Sequence, residues 1–541
     1  MDLDFQQTRV STFFQIAILG ILAPDTDHRV KFRNIFGNMP LRSSMSNLYK
    51  LLQSRFNPDR PFIFDANEQL MASYRDLDKA SAQYANLFLG KGLLPGDRIA
   101  VQIEKSPENL FLYFGCLRAG LVFLPLNPAY QSEEIAYFLQ DAEPQICIIE
   151  PGKLAIYRQW TDKPLLTLDS DGLGTAADNR TVMSEKHSIA ETAADDIAVI
   201  VYTSGTTGSP KGAMITHHNL IENGLALQAA WEFQESDTIL HCLPVFHVHG
   251  LFLGTHLPAL SGGAIILLKK FDVSQVLELL PKASVFMAVP TYYTRLLEAK
   301  ISEQHCRSIR LFTSGSAPLL LQTFDLFSKR TNHKIIERYG MTETGMNTSN
   351  PLHGPAKAGT VGLALAGTEC QIIDEDGELV TPGKTGQLLV RGGNVFKGYW
   401  RKPEKTLEEF TTTGFFKTGD LASMDEDGYI SIVGRSKDLI ITGGLNVYPK
   451  EIELWIDSLP DVIESAVIGI PHQDFGEAVT AIVIMEPSGN LSEQIIISHL
   501  KKSIANFKVP KAVHFMDQLP RNTMGKVQKN LLRETFNQAK S

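Results

Sequence analysis

The stretch Tyr202-Thr203-Ser204-Gly205-Thr206-Thr207-Gly208-Ser209-Pro210-Lys211-Gly212 directly follows an apolar run at residues 197–201. The apolar run predicts a buried strand, and the stretch predicts a loop that opens from the end of that strand. Glycines in such a loop let backbone N–H groups converge on an anion, while hydroxyl groups and a lysine add donors and positive charge. We therefore expect the loop to hold the phosphates of a nucleoside triphosphate.

The spacing of this loop differs from that of the P-loop, G-x-x-x-x-G-K-[ST]. Two residues separate Gly208 from Lys211, and Gly212 follows the lysine. The alternative interpretation is an ordinary flexible turn at the surface. The order of the glycines, hydroxyl groups and lysine favours a phosphate-binding loop of another kind over that plain turn.

Short apolar runs alternate with longer amphipathic stretches on both sides of the loop. The runs predicted as strands are residues 99–104, 122–126, 145–150, 239–244, 264–268, 284–290 and 309–313. The stretches predicted as helices are residues 108–118, 273–280 and 319–328. This alternation predicts an α/β protein with parallel sheets covered by helices, whose ligands bind at the carboxyl ends of strands.

The pattern changes in the last third of the chain. Residues 369–433 alternate strands with turns, which predicts a small β-rich subdomain. A compact α+β unit should follow, with helices at 449–458 and 493–505 and strands at 462–470, 478–485 and 512–516. Because 541 residues exceed one core of about 250–300 residues, we predict an extension at 1–44, a large domain at 45–435 and a small mobile domain at 436–541.

Composition excludes several classes of function. The chain has 51 basic and 60 acidic residues, a mildly acidic balance that argues against nucleic-acid binding. Its five cysteines are scattered singly, which is typical of a protein in a reducing compartment. Their spacing matches no metal-binding motif. No run approaches the roughly 18 apolar residues of a membrane span. Nothing in the sequence indicates an oligomeric state.

The first 44 residues allow more than one interpretation. Residues 13–23 are apolar, but Asp2 and Asp4 precede them, which disfavours a secretory signal. A mitochondrial transit segment or a helical appendage remains an alternative, and we favour a start of translation at Met39 or Met45. We accordingly expect a cytoplasmic protein, with the mitochondrial matrix as the alternative.

Four further motifs follow the loop in a fixed order. They are Tyr339-Gly340-Met341-Thr342-Glu343, Thr418-Gly419-Asp420, Gly434-Arg435-Ser436-Lys437-Asp438 and Pro520-Arg521-Asn522-Thr523-Met524-Gly525-Lys526. Together with the loop they resemble the adenylate-forming superfamily, which includes acyl-CoA synthetases, luciferases and amino-acid adenylation domains. The resemblance runs from about Met45 to Lys529. It implies that a carboxylate attacks the α-phosphorus of ATP, releasing pyrophosphate, and that the thiol of coenzyme A then displaces AMP.

The resemblance also implies a nucleotide site. The phosphates would be held by Thr203, Ser204, Gly205, Thr206, Thr207, Gly208 and Lys211. Glu343 would bind Mg²⁺ with help from Thr203, in keeping with the preference of that ion for oxygen ligands. Adenine and ribose would be contacted by Gly315, Ser316, Ala317, Tyr339, Gly340, Thr342, Asp420 and Arg435. The alternatives are a capping role for Glu343 and a turn role for Asp420.

Four residues in the C-terminal part of the chain are implied to serve the two half-reactions. Lys526 would stabilise charge near the α-phosphate during adenylate formation. Lys526 would leave the active site when the C-terminal domain rotates for thioester formation. Lys437 matches the position of the hinge in the family. Gly443 and Gly444 would then face the pantetheine chain of coenzyme A. A solvated surface lysine is the alternative for both lysines.

The substrate acid is indicated by residues between the motifs. His247 stands where amino-acid adenylation domains carry an aspartate, so an amino acid is disfavoured. A zinc site at His247 and His249 lacks a third ligand nearby. Arg295 carries a guanidinium that could bind a second carboxylate in bidentate fashion, with Ser314 and Gly315 beside it in the predicted cleft. Met341 is a further predicted substrate-binding residue. The alternative for Arg295 is an ion pair on the helix surface.

The residues around Arg295 resemble the malonyl-CoA synthetase group, as do residues 344–351, 394–400, 442–451 and 521–529. The resemblance implies ligation of malonate, or of methylmalonate, to coenzyme A. Two other hypotheses stay open. The first keeps the chemistry but changes the acid to a short or medium fatty acid or an aromatic acid. The second is a non-catalytic protein that binds ATP or AMP, which the presence of Lys211, Glu343, Asp420 and Lys526 disfavours.

Overall fold

A computed structural model describes residues 46–203, 210–442, 445–472, 476–487 and 489–538. The predicted α/β class with parallel sheets is confirmed. The strands of the described residues are β1 Pro61–Phe64, β2 Leu70–Ser73, β3 Arg98–Gln102, β4 Val122–Pro125, β5 Ile146–Ile149, β6 Leu165–Thr167, β7 Ile197–Thr203, β8 Lys211–Thr216, β9 Thr238–His241, β10 Ala264–Leu267, β11 Val285–Ala288, β12 Leu311–Ser314, β13 Ile335–Met341, β14 Gly345–Ser349, β15 Leu363–Ala364, β16 Thr368–Ile373, β17 Thr385–Gly392, β18 Gly398–Tyr399, β19 Phe416–Met424, β20 Ile430–Arg435, β21 Ile440–Thr442, β22 Leu445–Val447, β23 Val462–His472, β24 Gly476–Met485 and β25 Ala512–Phe515.

Helices lie between and around these strands, and several begin at a recognisable cap. Ser73 caps the second helix and forms a capping box with Asp76. The α-helices of the described residues are α1 Leu48–Gln53, α2 Tyr74–Gly90, α3 Pro107–Ala119, α4 Ser132–Ala142, α5 Leu154–Tyr157, α6 Thr175–Thr181, α7 His217–Ala230, α8 Gly254–Ser261, α9 Val273–Leu279, α10 Pro290–Glu298, α11 Glu303–Cys306, α12 Leu321–Thr331, α13 Pro403–Glu408, α14 Pro449–Asp457, α15 Glu493–Ser503 and α16 Lys529–Gln538. None of them combines the length and the apolar character needed to cross a bilayer.

The first sheet carries the predicted phosphate loop. Its order is β18-β8-β7-β4-β3-β5-β6, parallel from β7 to β6 and antiparallel at β8 and β18. The central strands β4 and β5 are buried along their whole length, as expected for parallel strands covered on both faces. Residues 204–209 connect β7 to β8 and lie outside the described residues.

The second sheet carries most of the other predicted site residues. Its order is β15-β14-β13-β12-β11-β9-β10-β1-β2, parallel from β13 to β1. The hairpin from β13 to β14 requires glycine at position 340, since a Cβ there would lie 2.1 Å from the carbonyl oxygen of Gly345. The hairpin turn therefore projects Glu343 from the carboxyl end of β13.

The main apolar core lies between these two sheets. Ile99 and Val199 of the first sheet join Ile239 and Ile265 of the second in one buried cluster with residues of α2, α3 and α7. Further helices cover the outer faces, α4 on the first sheet and α10 and α12 on the second. The two sheets thus alternate with helical layers, and the carboxyl ends of their strands face a common cleft.

Two smaller sheets complete the described chain. The antiparallel order β16-β17-β19-β20 occupies the region predicted as β-rich. Residues beyond 436 form a sheet of order β22-β21-β24-β23, with β25 beside β24, and a separate apolar cluster. The predicted domain boundaries and the mobility of the last domain stay predictions, and residues 1–44 lie outside the described residues.

Candidate active site

Thr203 and Glu343 come together from different sheets. Thr203 is the last residue of β7, and its Oγ1 lies 3.4 Å from Oε1 of Glu343. Tyr399 donates a hydrogen bond to the same carboxylate oxygen at 3.1 Å. Glu343 is only 5% exposed, and burial raises its pKa. A buried carboxylate and a hydroxyl are oxygen ligands that suit Mg²⁺, which usually keeps other positions for water and substrate phosphates.

The other end of the phosphate loop lies beside the same tyrosine. Lys211, the first residue of β8, is the antiparallel partner of Thr203. Its Nζ lies 3.3 Å from Oε1 of Glu409 and 4.1 Å from the centre of the Tyr399 ring. The structure therefore places both ends of the loop next to Glu343. The predicted phosphate ligands Ser204, Gly205, Thr206, Thr207 and Gly208 lie outside the described residues.

Asp420 forms the centre of a second cluster. It is the antiparallel partner of Arg435, whose Nε lies 2.6 Å from Oδ1 of Asp420. Tyr339 donates its hydroxyl hydrogen to the other carboxylate oxygen, and burial followed by the charge of Asp420 raises the pKa of Tyr339. Three residues predicted to contact adenine and ribose are thus brought together from β13, β19 and β20. Gly340 and Thr342 flank Met341 in the same hairpin.

The turn after β12 holds Gly315, Ser316 and Ala317. Ser316 adopts a left-handed conformation with φ of 71°, and its Oγ lies 3.3 Å from Nδ1 of His249. A Cβ on Gly315 would lie 2.5 Å from the guanidinium carbon of Arg338. Sequence reasoning did not single out Arg338, because it stands beside another charged residue, Glu337, and directly precedes the motif that begins at Tyr339.

Lys526 lies in a loop after β25, where the charges of Arg435 and Asp420 act on it. Its loop docks on the large domain, because Met524 is buried in the main core and Gly525, with φ of 76°, packs against Thr291 of α10. Burial, followed by the positive charge of Arg435, lowers the pKa of Lys526 to about 8, and Asp420 acts in the opposite direction. The residue as a whole is exposed to solvent.

Lys437 lies in a 3₁₀ turn at Ser436–Asp438 that follows β20 directly. Burial lowers its pKa, and its neighbour Asp438 accepts a hydrogen bond of 2.8 Å from Arg533 of α16. The turn is therefore a junction between the large part of the chain and its last helix. Gly443 and Gly444, predicted to face coenzyme A, lie outside the described residues.

The predicted acid-binding residues lie at different depths. Ser314 is buried at the end of β12, and His247 is half-buried with its pKa lowered to about 4 by burial and by Arg338. Met341 is half-buried. Arg295 is exposed on α10, and its guanidinium makes no hydrogen bond or ion pair within the described ranges, so the surface ion pair considered as its alternative is not found there.

Comparisons with known proteins agree with this geometry. The family model described as "AMP-binding enzyme" matches residues 52–400, and the model of its C-terminal domain matches residues 451–526. The chain belongs to the AMP-binding enzyme family. The family predicted from the five motifs is therefore confirmed.

Among solved structures, ATP-bound MatB from Rhodopseudomonas palustris is 47% identical to this chain, covering 92% of it and 100% of MatB, with a TM-score of 0.89. Apo MatB from the same organism has the same identity and coverage but a TM-score of 0.80. The malonate–CoA ligase of Arabidopsis thaliana is 34% identical over 86% of this chain and 84% of the relative. This member of the AMP-binding family is thus more similar to the ATP-bound than to the apo form of MatB.

Proposed function

We propose that this member of the AMP-binding enzyme family ligates malonate to coenzyme A through an acyl-adenylate, releasing AMP and pyrophosphate. The observation that carries the two-step chemistry is the docking of the Lys526 loop, through Gly525, against Thr291, which brings Lys526 under the charges of Arg435 and Asp420 from a part of the chain about 90 residues away or more. The choice of malonate is supported by the 34% identity to the malonate–CoA ligase of Arabidopsis thaliana and by the exposed guanidinium of Arg295. Methylmalonate is a further substrate of the same class.

The first step joins the acid to AMP. Thr203, Lys211 and the glycine-rich loop hold the β- and γ-phosphates, while Asp420 and Arg435 hold the ribose. Glu343 and Thr203 would hold Mg²⁺, which would neutralise phosphate charge. Lys526 places a positive charge beside the α-phosphate and the attacking carboxylate, where negative charge develops. The carboxylate oxygen bonds to the α-phosphorus as the bond to pyrophosphate breaks.

The second step forms the thioester. Rotation of residues beyond Lys437 removes Lys526 from the cleft and brings Gly443 and Gly444 to the pantetheine chain. The thiol of coenzyme A loses its proton and attacks the acyl carbon, and AMP leaves with the bonding electron pair. The larger similarity to ATP-bound than to apo MatB supports assigning the present arrangement to the first step.

Arg295 is proposed to bind the carboxylate of malonate that does not react. Thr291 and Arg295 are four residues apart on α10 and share one face of that helix. Thr291 contacts Gly525, so this face borders the loop that carries Lys526. A guanidinium without a partner in the described chain can offer two parallel donors to a carboxylate.

The test is the release of pyrophosphate with ATP, Mg²⁺ and coenzyme A across a panel of acids: malonate, methylmalonate, succinate, acetate, octanoate and benzoate. We expect the highest kcat/KM with malonate or methylmalonate. A preference for a monocarboxylate would replace the proposed substrate by a fatty or aromatic acid. Binding of ATP without pyrophosphate release for any acid would favour the non-catalytic hypothesis. We propose a cytoplasmic location, with the mitochondrial matrix as the alternative.

A further inference from the structure

Arg338 lies in the interior of β13 and is only 2% exposed. Its Nε and Nη2 atoms are buried and have no hydrogen-bond partner within the described chain. No carboxylate of the described residues forms an ion pair with this guanidinium. The side chain is therefore a buried cation whose charge the described part of the protein does not compensate.

Such an arrangement is unfavourable in a ligand-free protein. Arginine is almost never fully buried unless it is paired, since taking a charge out of water without a partner is costly. Neutralisation does not relieve this cost, because guanidinium stays protonated at physiological pH. The charge must therefore be tolerated for a reason other than stability, and an anionic ligand is the simplest complement.

The residues around Arg338 form a polar wall. The guanidinium lies against Gly315, and its charge acts on His247, His249 and Tyr293. Burial, together with Arg338, lowers the pKa of both histidines, so neither adds a competing positive charge at neutral pH. The hydroxyl of Tyr293 is already used, because it donates to the carbonyl oxygen of Thr313 at 2.8 Å.

Other polar atoms beside the guanidinium also lack partners. Nε2 of His249 and Oγ of Ser314 are buried and unpaired within the described chain. Ser314 directly precedes Gly315, and His249 contacts Ser316, so both atoms belong to the same wall as Arg338. Buried polar groups are nearly always satisfied in folded proteins, and a cluster of exceptions calls for a partner such as water, an ion or a polar ligand.

This wall is connected to the reacting end of the site. Tyr293 belongs to α10, the helix whose Thr291 contacts the loop of Lys526. Arg338 itself directly precedes Tyr339, whose hydroxyl group donates a hydrogen bond to Asp420. We propose that Arg338 is a specificity-determining residue that binds the non-reacting carboxylate of a dicarboxylic acid at the buried end of the pocket, with Arg295 at its exposed side. This inference rests on the proposed function.

The test compares malonate with propionate, in which a methyl group replaces the second carboxylate. The quantity measured is the ratio of kcat/KM for the two acids in pyrophosphate release, which does not depend on the fraction of active enzyme. Arg338→Gln should lower this ratio by at least about 30-fold, the smaller end of the effect of truncating one partner of a buried charge pair. Arg338→Lys keeps a charge but lacks the paired donors, and should lower the ratio by about 10-fold.

Arg118→Gln is the matched control, because Arg118 is equally buried but fully paired at a distance from the cleft. It should leave the ratio unchanged. If Arg338→Gln does not fold, Arg338→Lys decides the question, and an unchanged ratio in either folded variant overturns the inference alone. A wild-type enzyme that prefers propionate would overturn the proposed substrate, and this inference with it.

Discussion

Arg118 and Arg338 are both buried, 5% and 2% exposed, yet their surroundings are opposite. The guanidinium of Arg118 on α3 donates to Oδ1 of Asp78 at 2.7 Å and to the carbonyl oxygen of His187 at 2.6 Å. It also lies within hydrogen-bond distance of Ser81 at 3.1 Å. The guanidinium of Arg338 has no such partners in the described chain.

The two arginines therefore have different roles. The charge of Arg118 stabilises the fold, and the charge of Arg338 is available to bind a ligand. Arg118 links α3 to α2 and to the segment at His187, so its partners are all parts of the protein. Arg338 stands at the carboxyl ends of parallel strands, where α/β proteins bind their ligands. Its pairing is therefore completed only when an acid binds. Lys526 and Arg295, which form no ion pair within the described ranges, belong to the same second class.

The largest effect is expected at Lys526. Lys526→Ala should slow adenylate formation by about 10²–10³-fold, because a preorganised charge at the transition state is lost. Thioester formation from preformed adenylate and coenzyme A should stay nearly unchanged. The first half-reaction is measured by exchange of labelled pyrophosphate into ATP, and the second by consumption of synthetic adenylate. Equal loss in both would contradict the assignment of Lys526 to one step.

Arg118→Gln should act on stability instead of catalysis. A free energy of unfolding lower by about 2–3 kcal/mol is expected, somewhat below the cost of breaking a fully buried pair because Asp78 is partly exposed. Urea denaturation measures this loss, and Arg338→Gln should show a smaller one. If Arg338→Gln destabilised the protein as much as Arg118→Gln, Arg338 would contribute to the stability of the fold as a paired arginine does.

A smaller effect is expected at Arg295. Arg295→Lys should lower kcat/KM for malonate by about 10-fold, since the point charge of lysine lacks the paired donors of guanidinium. Because Arg295 is exposed, the free energy of unfolding should not change. Unaltered kinetics with malonate would leave Arg338 as the residue that binds the second carboxylate.

The smallest effect is a dependence on pH. The pKa of Lys526 is lowered to about 8, so the residue is protonated below that value and loses its charge as the pH rises through it. The rate of the first half-reaction should therefore fall by about half between pH 7 and pH 8. Lys526→Arg should remove this decline, because guanidinium stays protonated. A decline that persists in that variant would belong to another group.

The fold was largely predictable because its signals are local. The strand predicted at residues 264–268 is β10, Ala264–Leu267, and the helix predicted at 449–458 is α14, Pro449–Asp457. Buried parallel strands appear as short apolar runs, and covering helices as amphipathic stretches. The helix α2 was not predicted, although its capping box of Ser73 and Asp76 is a local signal.

The site was only partly predictable. The motifs single out Thr203 and Glu343, but the distance of 3.4 Å between their side chains depends on how two sheets pack, since the residues are 140 positions apart in the chain. Arg338 shows the limit most clearly, since neither its burial nor its lack of a partner can be read from the residues beside it. The roles assigned to the individual site residues stay predictions.

The class of fold, the family and the order of the motifs follow from the residues alone, because apolar periodicity and short motifs are properties of neighbouring residues. Which charges are paired and which are not becomes visible only after folding. Charge compensation depends on groups that are distant in the chain and on the solvent that packing excludes. For this reason Arg118 and Arg338 are both simply arginines in the sequence, and differ only in the folded protein.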